Sequence, residues 1–270
     1  MKPRVFIDGK EGTTGLQIYD RLSARDDIEL LLIDEDRRKD AAARRALMEK
    51  ADLVFLCLPD DAAAEAAAMA QEAGARVIDA STAHRTAPGW VYGFPELLAG
   101  QRQRIKTAAL VANPGCHATG FLAAAAPLSA LGVLPKDYPV TCYSLTGYSG
   151  GGKGMIAEYE VEEPPVAFSS PRIYGLTLNH KHLPEMQAVC GLDFAPVFCP
   201  IVDNYYKGMV ATRNYVAAHK GQDTAALLEG GMNTYVNYLQ KDLVSAFKGI
   251  CAGTAAVGLW PITALVIITA

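Results

Sequence analysis

Cys116 stands in Asn113-Pro114-Gly115-Cys116-His117-Ala118-Thr119-Gly120, directly after a Pro-Gly turn and at the start of a helix-like run. A cysteine at a helix N-terminus feels the positive end of the dipole, which lowers a thiol pKa and exposes a thiolate nucleophile. Cys57, Cys142, Cys190, Cys199 and Cys251 lack that setting, form no C-x-x-C pair and read as buried small hydrophobes. A thiolate mechanism also needs a group that moves protons near neutral pH. Asn179-His180-Lys181-His182-Leu183-Pro184-Glu185 supplies two histidines and an acid, although the plain alternative is a polar surface turn. The H-x-H spacing recurs in metal sites, but no third ligand follows at a recognisable spacing, so no metal is expected. Arg85, at the end of Asp79-Ala80-Ser81-Thr82-Ala83-His84-Arg85, offers a guanidinium fork suited to a phosphate or carboxylate.

Gly9-Lys10-Glu11-Gly12-Thr13-Thr14-Gly15 has the spacing of a glycine turn between a strand and a helix. Glycines there let the backbone approach a pyrophosphate seated on helix N-terminal N–H groups, and Thr13 and Thr14 add hydroxyls. Downstream, Asp34 could hold a ribose hydroxyl, as in NAD sites, or Arg37, Arg38 and Lys39 could hold a 2′-phosphate, as in NADP sites. A solvated helix start explains those four residues about as well. Gly147-Tyr148-Ser149-Gly150-Gly151-Gly152-Lys153 is either an anion cradle or a mobile turn.

The elements that must position these residues alternate. Val5–Ile7, Glu29–Ile33, Leu53–Leu58 and Ala75–Ile78 are apolar runs, with helical patterns at Thr14–Arg25 and Asp61–Gly74. Another strand at Ala109–Ala112 precedes a helix at Ala118–Ala130. This pattern predicts an α/β fold, a doubly wound Rossmann-type domain over residues 1–115. Beyond about Pro135, strand-like runs such as Val140–Leu145 and Val197–Val202 lie between Gly- and Pro-rich loops, which suggests an α+β catalytic domain over 116–245. Residues 246–270 could complete the first domain. Ile250–Ala270 carries no charge; it reads as a buried helix and a strand at Ala264–Ile268 rather than a membrane span, because no basic cluster flanks it.

Composition bounds the rest. Lysine and arginine total 25 against 29 acidic residues, a formal charge of -4, which argues against a dedicated nucleic-acid binder. Half of the 270 residues are hydrophobic, enough for a buried core. Scattered cysteines and an early acidic residue, Asp8, point to the cytoplasm.

Taken in order, the segments Gly9–Gly15, Asp79–Arg85, Asn113–Gly120, Gly147–Lys153 and His180–Glu185 resemble N-acetyl-gamma-glutamyl-phosphate reductase. The shorter, type 2 branch is the nearer style, through Cys57-Leu58-Pro59-Asp60-Asp61, Ser81–Arg85 and Ala87-Pro88-Gly89-Trp90 with Tyr92-Gly93. The resemblance runs from residue 1 to about Met209; after it, Lys248-Gly249 and Gly253–Val257 echo the family's closing helix only loosely. It implies a semialdehyde-dehydrogenase-like second domain and a homo-oligomer. It also implies NADPH-dependent reduction of N-acetyl-glutamyl 5-phosphate to N-acetylglutamate 5-semialdehyde, in arginine biosynthesis. Cys116 would form the thioester, His182 would act as acid and base, and Arg85 would hold the phosphate. Gly9, Gly12, Thr13, Thr14, Gly15, Ser81 and Thr82 would line the NADP site. The alternatives are another acyl-phosphate or semialdehyde dehydrogenase, or a nucleotide-binding relative without turnover whose C-terminal tail is altered.

Overall fold

The computed structural model describes residues 2–10, 13–215 and 262–268. The apolar runs of the N-terminal part become strands because each is short, bounded by turn formers and covered by helices. The order is β1 (Arg4–Asp8), α1 (Thr13–Ser23), β2 (Glu29–Leu31), α2 (Ala41–Met48), β3 (Leu53–Leu56), α3 (Asp60–Glu72), β4 (Arg76–Asp79), β5 (Val91–Tyr92), α4 (Gln101–Thr107) and β6 (Leu110–Ala112). The strands form a 6-stranded sheet in the order β2-β1-β3-β4-β6-β5, with every pairing parallel. The chain leaves β1 toward β2 on one side, then crosses to β3 on the other. That reversal opens a crevice at the carboxyl ends of β1 and β3, the usual ligand position in such sheets.

Phe6, Met48, Val54, Leu56 and Val77 make the centre of this core. Helix α3 reaches it through Met69 and through Ala66, Ala67 and Ala70, small side chains that let the helix lie close to the sheet. Pro59 caps α3, Asp60 and Asp61 place negative charge in its first turn, and Gly74 turns the chain at φ +76° beyond its end. Helix α2 begins where the Asp40 carboxylate accepts the N–H groups of Ala42 and Ala43 at 2.9 and 3.2 Å.

The remaining elements are α5 (Cys116–Ala130), β7 (Thr141–Gly147), α6 (Gly152–Tyr159), β8 (Arg172–Ile173), α7 (Leu183–Cys190), β9 (Val197–Asp203), β10 (Met209–Tyr215) and β11 (Ile262–Ile268). They build a 5-stranded mixed sheet in the order β11-β10-β7-β9-β8. β7 and β9 run parallel; the other neighbours are antiparallel. Helix α5 packs against α7 and β10 and buries Ala118, Phe121, Leu122 and Leu128. It is apolar nearly all round, as a helix enclosed by protein should be. The side chains of Tyr143 and Val197 project from the sheet and stay exposed.

Two compact units result: Met1–Pro95 with Arg102–Gly115, and Glu96–Gln101 with Cys116–Ala270. The fold is α/β, a Rossmann-like parallel sheet in one unit and a mixed sheet in the other. Of the uncharged stretch, Ile262–Ile268 is a strand, paired with β10 in the second sheet rather than completing the first. The helix expected before it, and the loose echo at 248–257, lie outside the described residues. Among the described residues no helix is long and apolar enough to cross a membrane.

Candidate active site

Each unit carries its own chemistry. In the first, a cleft of about 500 Å³ lies at the crevice between β1 and β3. Gly9 leads into it at φ +86°, a conformation that favours glycine, and a Cβ there would collide with the backbone carbonyl of Cys57. A Cβ on Gly15 would collide with the Gly9 carbonyl and come within 2.8 Å of Lys10 Cα. These two glycines therefore let the turn close tightly and α1 start against the end of β1, a cradle that suits a pyrophosphate. Thr14 is exposed on the first turn of α1. Gly12 lies outside the described residues, as does the side chain of Thr13.

Behind the turn, the buried Arg44 guanidinium donates to Asp8 at 2.7 and 3.0 Å. Burial still raises the Asp8 carboxyl, against the lowering pull of Arg44. This pair joins α2 to the end of β1, and no local pattern reveals it, because the partners are far apart in sequence.

Glu35, Arg38 and Lys39 line the cleft; Asp34 and Arg37 are not among its walls. Arg37 donates instead to Asp40 at 3.2 Å. Two of the basic residues after β2 thus face the space that the cofactor reading assigns to a 2′-phosphate. Cys57 also lines the cleft, and burial, with Asp79 and Asp8, pushes its thiol up to about 12. That thiol stays protonated and poorly nucleophilic.

Ser81 and Thr82 do not line this cleft. Ser81 is buried, and its N–H and Oγ–H donate to Asp79 at 2.9 and 2.6 Å. Thr82 donates to Asp60 through both its N–H, at 2.8 Å, and its hydroxyl. His84 Nδ1 lies 2.6 Å from Asp79, and the ring stacks on Trp90 with centroids 4.0 Å apart. The Ser81–Arg85 segment is therefore a turn tied down by two carboxylates. Arg85 closes it, donating to the backbone carbonyls of Asn113 and Ala80 at 3.0 and 3.2 Å. It links the end of β4 to the turn that precedes Cys116.

In the second unit, Cys116 is the first residue of α5 and is exposed. Cys142 and Cys190 are buried, Cys57 and Cys199 half-buried, so among the described residues Cys116 is the exposed thiol. Cys251 lies outside the described residues. Around the same helix start the fold gathers residues from four more segments. His117 is buried, with ring centroids 5.5 Å from His180, 5.6 Å from His182 and 5.2 Å from Phe198. His180 and His182 are 4.7 Å apart, and His180 Nδ1 accepts the His182 N–H at 3.2 Å. His182 is buried at the N-cap of α7, one turn before the buried Glu185.

His117 makes two short contacts, Nδ1 to Ser144 Oγ at 2.7 Å and Nε2 to Tyr174 Oη at 2.6 Å. Burial, with help from His180 and Lys181, pushes His117 down to about 3, so its ring is neutral. Burial, and then the Cys116 sulfur, push the Tyr174 phenol up. His117, Ser144 and Tyr174 escape a reading of the sequence. The Cys-His dipeptide was the one available signal, and nothing local marks a lone Ser in a strand or a Tyr after one.

The Gly147–Lys153 segment has its first three N–H groups already engaged. The N–H groups of Gly147, Tyr148 and Ser149 each donate at 3.0 Å to the carbonyls of Gly208, Tyr205 and Tyr206. They are committed to a neighbouring loop, not presented to an anion. A Cβ on Gly147 would lie 2.6 Å from the Tyr205 carbonyl, which explains the glycine. Among the described residues no group of three His, Cys, Asp or Glu could hold a metal ion.

A Rossmann-like unit with a glycine cradle, followed by a unit that opens on an exposed cysteine beside histidines, has close counterparts among known proteins. Residues 4–108 match the family model described as semialdehyde dehydrogenase, NAD binding domain, and residues 116–249 match the semialdehyde dehydrogenase, dimerisation domain. The chain is 52% identical over 212 residues to N-acetyl-gamma-glutamyl-phosphate reductase of Rhizobium meliloti, covering 78% of this chain and 68% of that protein. It belongs to the N-acetyl-gamma-glutamyl-phosphate reductase family.

Reductases of that name from Trichormus variabilis and Rhizobium leguminosarum bv. trifolii are 51% and 50% identical over 213 and 251 residues. These matches cover 77% and 92% of this chain. The chain spans 66% of the length of the Trichormus relative. Family likeness reaches well past Met209, where the motifs fade, since the dimerisation model runs to residue 249. Among solved structures, aspartate semialdehyde dehydrogenase II of Vibrio cholerae shares the fold at TM-score 0.62 and 15% identity, over 87% of this chain and 80% of that one. The Candida albicans aspartate semialdehyde dehydrogenase, solved with NADP, does so at TM-score 0.54 and 14% identity, over 85% and 76%.

Proposed function

We propose that this reductase-family chain converts N-acetyl-glutamyl 5-phosphate to N-acetylglutamate 5-semialdehyde and phosphate, with NADPH as reductant, in cytoplasmic arginine biosynthesis. The observation that carries the reading is Cys116, exposed at the start of α5 and next to a cluster of His117, His180 and His182. The helix start favours the thiolate.

The Cys116 thiolate attacks the acyl carbon, a C–S bond forms, and the bond from carbon to the phosphate oxygen breaks. Covalent catalysis thereby replaces one hard displacement with two easier ones. When bound, NADPH supplies the hydride that reduces the thioester carbon; the C–S bond then breaks and the thiolate is restored. His182 acts as the acid that gives a proton to the departing phosphate oxygen and as the base that keeps Cys116 a thiolate, and Arg85 holds that phosphate with its fixed positive charge. Gly9, Thr14 and Gly15 seat the pyrophosphate, and Arg38 with Lys39 favours the 2′-phosphate of NADP. Ser81 and Thr82 serve by fixing the turn that carries Arg85. The protein works as a homo-oligomer. Its second unit matches a dimerisation domain, and Tyr143 and Val197 on that unit's sheet are exposed.

Phosphate-dependent reduction of NADP with N-acetylglutamate semialdehyde, followed by NADPH absorbance, tests the reading. A rate that requires phosphate and disappears in Cys116→Ser is expected. A folded protein that binds NADPH and shows no rate overturns it.

A further inference from the structure

One buried polar chain in the second unit has no task in the reaction just described. Ser144 on β7 is fully buried, and its Oγ lies 2.7 Å from His117 Nδ1. His117 Nε2 lies 2.6 Å from the hydroxyl of the half-buried Tyr174. A neutral imidazole has one donor and one acceptor, so the chain of hydrogen bonds can run in two directions. In the first, Tyr174 donates to Nε2, Nδ1–H donates to Ser144, and the Ser144 proton is left in the core. Among the described residues that hydroxyl has His117 as its side-chain partner, so in this direction none of their side chains takes its proton. In the second, Ser144 donates to Nδ1, and Nε2–H donates to the Tyr174 oxygen. The Tyr174 proton then sits at the half-buried end, pointing out of the chain. A fully desolvated donor without an acceptor is costly, and Tyr174 is the less buried end of the chain, so the second direction prevails.

We propose that Ser144 and His117 fix the Tyr174 hydroxyl as an outward hydrogen-bond donor to the oxygen of the acyl group carried on Cys116. This deepens the proposed reaction and rests on it for the identity of the acyl group. Ser144 and His117 are positioning residues, and Tyr174 is the group that meets substrate. No proton leaves the chain; the effect is to aim one donor at an oxygen that gains charge as the carbonyl is attacked. Burial keeps both ends suited to this. His117 stays neutral, and the raised Tyr174 phenol stays protonated and able to donate. Tyr174 meets His117, the second residue of α5 after Cys116, and the Cys116 sulfur acts on the phenol strongly enough to help raise it.

The first test is the tautomer of His117 in the full chain, read by nitrogen NMR of histidine-labelled protein, with His117→Gln used to assign the signal. Protonation on Nε2 is expected. Protonation on Nδ1 overturns the proposal whether or not the protein turns over. The second test is a kinetic cycle. Tyr174→Phe should lower kcat about 100-fold, the scale of one lost oxyanion donor. Ser144→Ala should lower it about tenfold with KM within about twofold, and Ser144→Thr, which keeps the hydroxyl, should restore it. Adding Ser144→Ala to Tyr174→Phe should cost nothing further, because Ser144 acts through Tyr174. Independent, multiplying losses overturn the relay. A parent protein without turnover overturns the reaction reading instead, and leaves the tautomer to decide the relay.

Discussion

The cofactor cleft and the cysteine site are built by opposite strategies. The cleft is held by sequence neighbours: Gly9 and Gly15 flank one turn, and Arg38 and Lys39 adjoin on another. The turn itself follows from local backbone sterics, while its close fit against Cys57 comes from the pairing of β1 with β3. The cysteine site draws on residues spread over Cys116–His117, Ser144, Tyr174, His180–Glu185 and Phe198, and has no shape until the mixed sheet forms. A local device is damaged by a single methyl group, and an assembled one by losing the contacts that aim its parts.

Experiments can press on that contrast, beginning with the largest effect. Cys116→Ser should lower turnover by at least about 1,000-fold while NADPH still binds, because the covalent step is lost and the first unit is untouched. Residual activity near the parent's level, or loss of NADPH binding, would erase the separation between the two sites. Gly15→Ala should destabilise the chain by about 3 kcal/mol and abolish NADPH binding, since the added Cβ meets backbone and not a side chain that can move. Denaturant midpoints and cofactor titration check it, and a variant as stable as the parent would mean that the turn yields.

Replacing both Arg38→Ala and Lys39→Ala should weaken NADPH about 30-fold and NADH little, as expected for two exposed charge-assisted contacts. Equal loss for both cofactors would remove these residues from the 2′-phosphate. The mildest effect concerns His117. Its folded pKa is depressed to about 3 from 6.5, so the unfolded chain takes up a proton that the folded one refuses. Stability is therefore full above the unfolded value and declines as pH falls below it; between pH 7 and 5.5 this one group should cost about 1 kcal/mol. Urea midpoints in the parent and in His117→Gln should diverge over that range. Parallel pH dependences would show that His117 is not held neutral.

The same division explains what was legible beforehand. Most elements of the first sheet lie within two residues of where periodicity places them, as with α3 expected at Asp61–Gly74 and found at Asp60–Glu72. Helix α2 carries little periodic signal, because its apolar face is mostly alanine and its start depends on the Asp40 side chain. The composition of Gly147–Lys153 does not reveal its first three hydrogen-bond partners, since these lie in a loop near residue 205. The resemblance places Ser81 and Thr82 at the cofactor, and what it does not reveal is that their hydroxyls go to Asp79 and Asp60.

The amino-acid sequence by itself determined the alternation of strand and helix, the glycine turn and the cysteine at a helix start. Each of these is settled by backbone sterics and hydrophobic period over a few residues. Tertiary structure alone decided which basic residues face the cleft, which cysteine is exposed, and that Ser144 and Tyr174 meet His117. Those facts depend on strand register and on burial, and both are properties of the packed sheet that no short stretch of chain contains.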